Sequence, residues 1–221
     1  KPRHRRSPSW LNSIKSVICS EVSILIFTCS VIMGCFTSSF GIIVASVWFE
    51  DVYGFNAFDV GLVALAIFAG EITGCFTLQP LIDTYGVFRC CILSYGSILG
   101  ACISAFILWM AFGPTIGGMV VAVIILYVLY FGWESFFIQH QILCIQNSPS
   151  ASHRSLMLMM NFICITFGGM GGSIMASELW NGGQGMGLIL LIWIGSIVVC
   201  CVIYAALYFM TNNKPNRTRS E

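Results

Sequence analysis

The chain has 221 residues, 57% of them apolar and only 9% charged, with a mean hydropathy of +0.89. A soluble domain carries about 25% charged residues, so the composition excludes a soluble domain, a disordered chain and a secreted disulfide module. The net charge of +1 hides an uneven distribution along the chain.

The sequence opens at Lys1 rather than Met, and KPRHRRSPSW holds no apolar signal-peptide core. It reads as cut from a longer chain or processed at its start. Residues 1–16 form a basic arm, 17–210 a six-span transmembrane bundle and 211–221 a polar, basic tail. Apolar stretches near 22–47, 60–80, 90–110, 116–138, 156–177 and 186–209 are each long enough to cross a bilayer, since about 20 helical residues cover a hydrocarbon core of about 30 Å. The expectation is an all-α polytopic membrane protein with both termini on one side.

The ten basic residues test that count. Lys1, Arg3, Arg5, Arg6 and Lys15 precede the first span, Arg89 follows the second, Arg154 follows the fourth, and Lys214, Arg217 and Arg219 follow the sixth. The intervening connections carry Glu50, Asp51, Asp59 and Glu178 and no base. By the positive-inside rule both termini are expected to be cytoplasmic. The sequon Asn216-Arg217-Thr218 is then expected to be silent. All eleven cysteines fall in the spans or at their inner margins, so they read as small buried hydrophobes with no disulfide framework and no metal.

In chain order, Trp10 is placed at the headgroup level, and the first span is rich in small residues (Gly34, Thr37, Ser38, Ser39, Gly41) suited to helix contacts or a cavity wall. Trp48, Phe49 and Tyr53 then read as an interfacial belt in an outer connection. Asn56 or Asp59 is a candidate cap, although the Glu or Gln of a standard capping box is missing. Gly70 and Gly74 share one face of the second span and allow close packing; Gly96 and Gly100 repeat the device in the third. The second span is expected to end at Pro80, before a tight turn. The short link AFGPT makes the third and fourth spans antiparallel neighbours. The fifth span carries Gly168, Gly169, Gly171 and Gly172, while the sixth looks plain and peripheral.

Charged and titratable groups within the spans are the candidate functional residues. Glu71 lies twelve residues before Asp83, about 18 Å deeper on a continuous helix. A carboxylate there costs several kcal/mol unless paired, wet or protonated. It fits a proton relay, a substrate contact or a structural hydrogen bond between helices. Glu134 is shallower and fits an ion pair with Arg89 or Arg154, or a transported-ion role. His140 fits a proton switch or a satisfied interfacial histidine. Glu21 and Asp59 read as anchors at helix ends. The sequence assembles no catalytic triad, phosphate loop or HExxH, so no enzymatic activity and no cofactor is expected; RHRR is a short arm with no nucleic-acid-binding domain behind it.

These residues carry a resemblance to one six-helix half of a major facilitator superfamily transporter, over about 17–210. The turn Pro80–Arg89 is similar to the family's Gly-x-x-x-Asp-Arg-x-Gly-Arg-Arg loop: Asp83 and Gly86 match, and Arg89 lies just beyond the usual basic place. Gln79 replaces the first glycine, and Thr84, Val87 and Phe88 replace positions often basic. Pro149–Arg154 resembles the family's Pro-x-x-x-Arg connection with one residue added, and Gly168–Gly172 its glycine-rich fifth helix, without the proline of drug antiporters. Glu71 in Gly-Glu-x-x-Gly is similar to the second helix of many C-terminal halves.

The resemblance implies a secondary active or facilitative carrier of a small organic solute, working by alternating access. Asp83, Gly86, Arg89 and Arg154 would belong to an inner gating network, and Glu71, Glu134 and His140 would be transport or coupling candidates. The implied partners are the bilayer, the other six-helix half or a second copy, the solute and protons. A non-transporting six-helix scaffold or assembly subunit is the alternative.

Overall fold

The computed structural model describes residues 10–111, 115–181 and 185–212. The arm before Trp10, the Trp10 side chain, the centres of the AFGPT link and of the SELWNGGQG turn, and the tail with its Asn216 sequon lie outside the described residues.

A short helix α1 (Trp10–Ile18) leads into α2 (Glu21–Ser38), a π-helical segment (Ser39–Val44) and α3 (Ala45–Tyr53), which together form the first long rod. The others are α4 (Ala57–Tyr85), α5 (Val87–Ala111), α6 (Ile116–Gln146), α7 (Arg154–Asn181), entered through a 3-10 turn (Ala151–His153), and α8 (Gly185–Asn212). Six helices are thus long and apolar enough to cross a membrane, and the chain is an integral, multi-pass, all-α membrane protein. Lys15, Arg89 and Arg154 lie at one end of the bundle, while Glu50, Asp51, Asp59 and Glu178 lie at the other.

Packing is strongest between α2 and α7, α4 and α6, α5 and α6, and α5 and α8. Glycine makes the first two contacts. A Cβ at Gly34, Gly168 or Gly172 would collide with a backbone carbonyl of the facing helix, those of Ile165, Val31 and Cys35 respectively. A Cβ at Gly169 would lie 2.6 Å from Ser38 Oγ, whereas Gly171 meets only the Cys35 sulfur at ordinary contact. With lipid as apolar as the side chains, such close backbone approach is a main source of helix attraction.

Several expectations are corrected. Gly96 and Gly100 face open space instead of a partner helix; α5 meets α6 through Gly132 of α6, where a Cβ would lie 2.7 Å from Ser97 Oγ. The second span does not stop at Pro80, because helical bonding resumes beyond the one missing N–H and runs to Tyr85. Likewise α6 continues past residue 138 to Gln146. Trp48 and Phe49 are not belt residues: both are buried, in a ring cluster with Tyr53 and Phe55. Asn56 does cap α4 in a reciprocal box, its side chain accepting from the Phe58 and Asp59 N–H groups while Asp59 replaces the usual Glu. Finally, α8 is only partly peripheral. One stripe, from Met186 through Trp193 and Cys200 to Leu207, is buried against the bundle.

Candidate functional site

The crossing of α4 over α6 sets the candidate site. A Cβ at Gly70 would lie 2.5 Å from the Tyr127 carbonyl oxygen, and one at Gly74 would lie 2.9 Å from that of Phe131. Two glycines one turn apart therefore hold the backbones together, and Glu71 and Glu134 are carried to the same crossing. Glu134 is adjacent to Gly74, with its Cβ 3.3 Å from the position a Gly74 Cβ would take. The Cys75 thiol, one turn on from Glu71, donates to Glu134 Oε1 at 3.4 Å. Both carboxyl groups are half-buried, and they are close enough to repel one another when both are charged.

Two tyrosines complete this region. Tyr127 donates to Thr73 Oγ1 at 3.1 Å, and Thr73 passes its own proton to the Ala69 carbonyl. Tyr130, one turn before Glu134 on α6, is buried and lies with its hydroxyl directly over Gly41 in the π-helical segment. Only a residue without a side chain leaves room for that hydroxyl. The loosely wound part of the first span, a type of segment frequent at functional sites, therefore borders the carboxylate crossing.

His140 belongs elsewhere. It lies six residues from Glu134, about 9 Å along α6 and on another face, and it is fully buried. Its Nε2 is 3.0 Å from Asn161 Oδ1 of α7 and 2.8 Å from Ser30 Oγ of α2, while Nδ1 meets the Tyr204 hydroxyl of α8. Ser30 Oγ also lies 2.5 Å from Asn161 Oδ1. A neutral imidazole with its proton on Nε2 satisfies this geometry: it donates toward Asn161 and accepts from Tyr204. Four spans are joined through one histidine, which is therefore a buried junction and not an interfacial group.

The remaining sequence candidates lie at the basic end. Gly86 alone separates α4 from α5, at φ 81° where a side chain would be strained. Asp83 is exposed and accepts from Gln79 of its own helix at 3.2 Å. Arg89 and Arg154 are exposed at the starts of α5 and α7, and no ion pair joins them to Asp83 or Glu134 among the described residues. Thus Glu71, Glu134, Gly70 and Gly74 come together, as do Gly168, Gly169 and Gly172 with α2, while His140 and the turn residues stand apart. Sequence reasoning missed Cys75, Tyr130, Ser30, Asn161 and Tyr204. A lone asparagine inside an apolar span was a signal for Asn161; nothing local marked the others.

Among the described residues no three His, Cys, Asp or Glu side chains converge as a metal site would require. Compared with known proteins, the sequence matches no family model and no curated relative.

Proposed function

We propose that the chain is one six-helix half of a secondary active or facilitative transporter of the major facilitator type, moving a small organic solute by alternating access with Glu71 as its proton-coupling carboxylate. The observation that carries this reading is the half-buried Glu71–Glu134 pair at a glycine-packed crossing inside the spans. Like charges so placed are costly, and among the described residues the three basic groups, Lys15, Arg89 and Arg154, all lie at one end of the bundle. A proton shared by the pair, or a cation from outside, relieves the repulsion.

The packing supports the same reading. The first span pairs with the fifth, the second with the fourth and the third with the sixth, the pattern of two three-helix repeats. The strong α5–α6 contact has a much weaker counterpart between α8 and α2, so the repeats are unequal. The two least buried spans, α4 and α7, offer the surface for the opposing half or a second copy, and the charge asymmetry of the bundle supports cytoplasmic termini.

The test is uptake by proteoliposomes containing the chain, with its partner bundle or as a dimer, under an imposed acid gradient. Gradient-driven accumulation that is lost in Glu71→Gln is the expected result. Absence of uptake under every gradient would leave the scaffold reading, and uptake with unchanged pH response in Glu71→Gln would remove the coupling role.

A further inference from the structure

A narrow crevice of about 40 Å³ lies between α4, α5 and α6, lined by Leu78, Ser94, Ser97, Phe131, Ser135 and Gln139 among others. Gln139 is 1% exposed, and its hydrogen bonding fixes which way its amide points. Ser94 Oγ donates to the Cys90 carbonyl at 3.0 Å, so toward Gln139 it acts as an acceptor, and Gln139 Nε2 donates to it at 3.1 Å. The amide oxygen of this crevice-lining residue is then left buried without a protein partner. Ser97 Oγ spends its proton on the carbonyls of Leu93 and Ser94 and keeps lone pairs free. Ser135, almost fully buried, offers another hydroxyl.

A buried acceptor, a second acceptor and a hydroxyl around a space of this size match the needs of water, which requires room of at least about 10–15 Å³ on the same measure and two to four polar partners. We propose that the crevice is a water-binding site, in which an ordered water donates to Gln139 Oε1 and Ser97 Oγ and exchanges hydrogen bonds with Ser135. Such a water ties together three spans whose side chains do not close the polar network themselves. It also places water beside Ser135, the chain neighbour of Glu134. The site does not depend on the transport reading, because its readout requires no uptake.

Hydroxyl-radical footprinting by X-ray radiolysis of the full chain in nanodiscs reads the site, since radicals generated from a bound water attack the side chains beside it. Leu78 is 2% exposed and lines the crevice, whereas Leu126 is 0% exposed and does not. Leu78 is expected to be oxidised measurably faster than Leu126. Gln139→Leu removes that excess, and the milder Ser97→Ala reduces it. Oxidation of Leu78 at the Leu126 rate in the unmodified chain, or an excess undiminished in a folded variant, overturns the proposal.

Discussion

The Ser30–His140–Asn161–Tyr204 network and the Glu71–Glu134 pair both put polar atoms among apolar helices, yet they are completed differently. In the first, His140 has both ring nitrogens engaged by neutral partners from three other helices, and its members are nearly or fully buried. In the second, two acids lie half-buried at one helix crossing, with a weak thiol donor on one of them. The neutral network holds four helices together and leaves only the Asn161 amide nitrogen, among its described atoms, without a partner, whereas two acids placed among apolar helices cost stability until a proton or a ligand arrives. The contrast distinguishes the His140 junction from the proposed coupling site at Glu71.

The largest expected effect comes from the clamp that aligns the junction. Gly172→Leu would drive a side chain into the Cys35 carbonyl and separate α2, which carries Ser30, from α7, which carries Asn161. A loss of about 3 kcal/mol or more is expected, read as loss of monodisperse protein in size-exclusion chromatography, whereas Gly96→Leu, facing open space, leaves the profile intact. His140→Leu strands the Tyr204 hydroxyl and should cost about 2 kcal/mol in thermal unfolding in detergent. Tyr204→Phe removes only the donor to Nδ1 and should cost about 1 kcal/mol. The smallest stability change belongs to Glu71→Gln, where melting should be unchanged or slightly raised at neutral pH because a like-charge contact is removed. Should Glu71→Gln destabilise as much as His140→Leu, the pair would be a structural element after all.

The rods were legible because their signals are long and redundant: hydropathy and charge placement agree on six crossings. The Gly70/Gly74 contact was legible from spacing, but the same spacing at Gly96/Gly100 misled, since a pattern of small residues does not say whether a helix face meets protein or lipid. Glu71 and Glu134 were visible separately as acids within apolar spans. That they meet depends on the α4–α6 crossing, a relation between residues 63 positions apart that no local pattern encodes. The junction was hidden for the same reason: it takes one residue from each of four spans, and each alone passes as an ordinary polar interruption.

The π-helical segment at Ser39–Val44 has a consequence for the rod it interrupts. An i→i+5 turn takes in one more residue than an α turn, so the helix beyond it is out of phase with the helix before it by roughly 100°. That offset points Trp48 and Phe49 inward to their ring cluster. Deleting one residue from the segment would restore uninterrupted α winding and swing both aromatics out of their cluster. Chain length within six residues, more than their identity, therefore sets what the last third of the first rod presents to its surroundings.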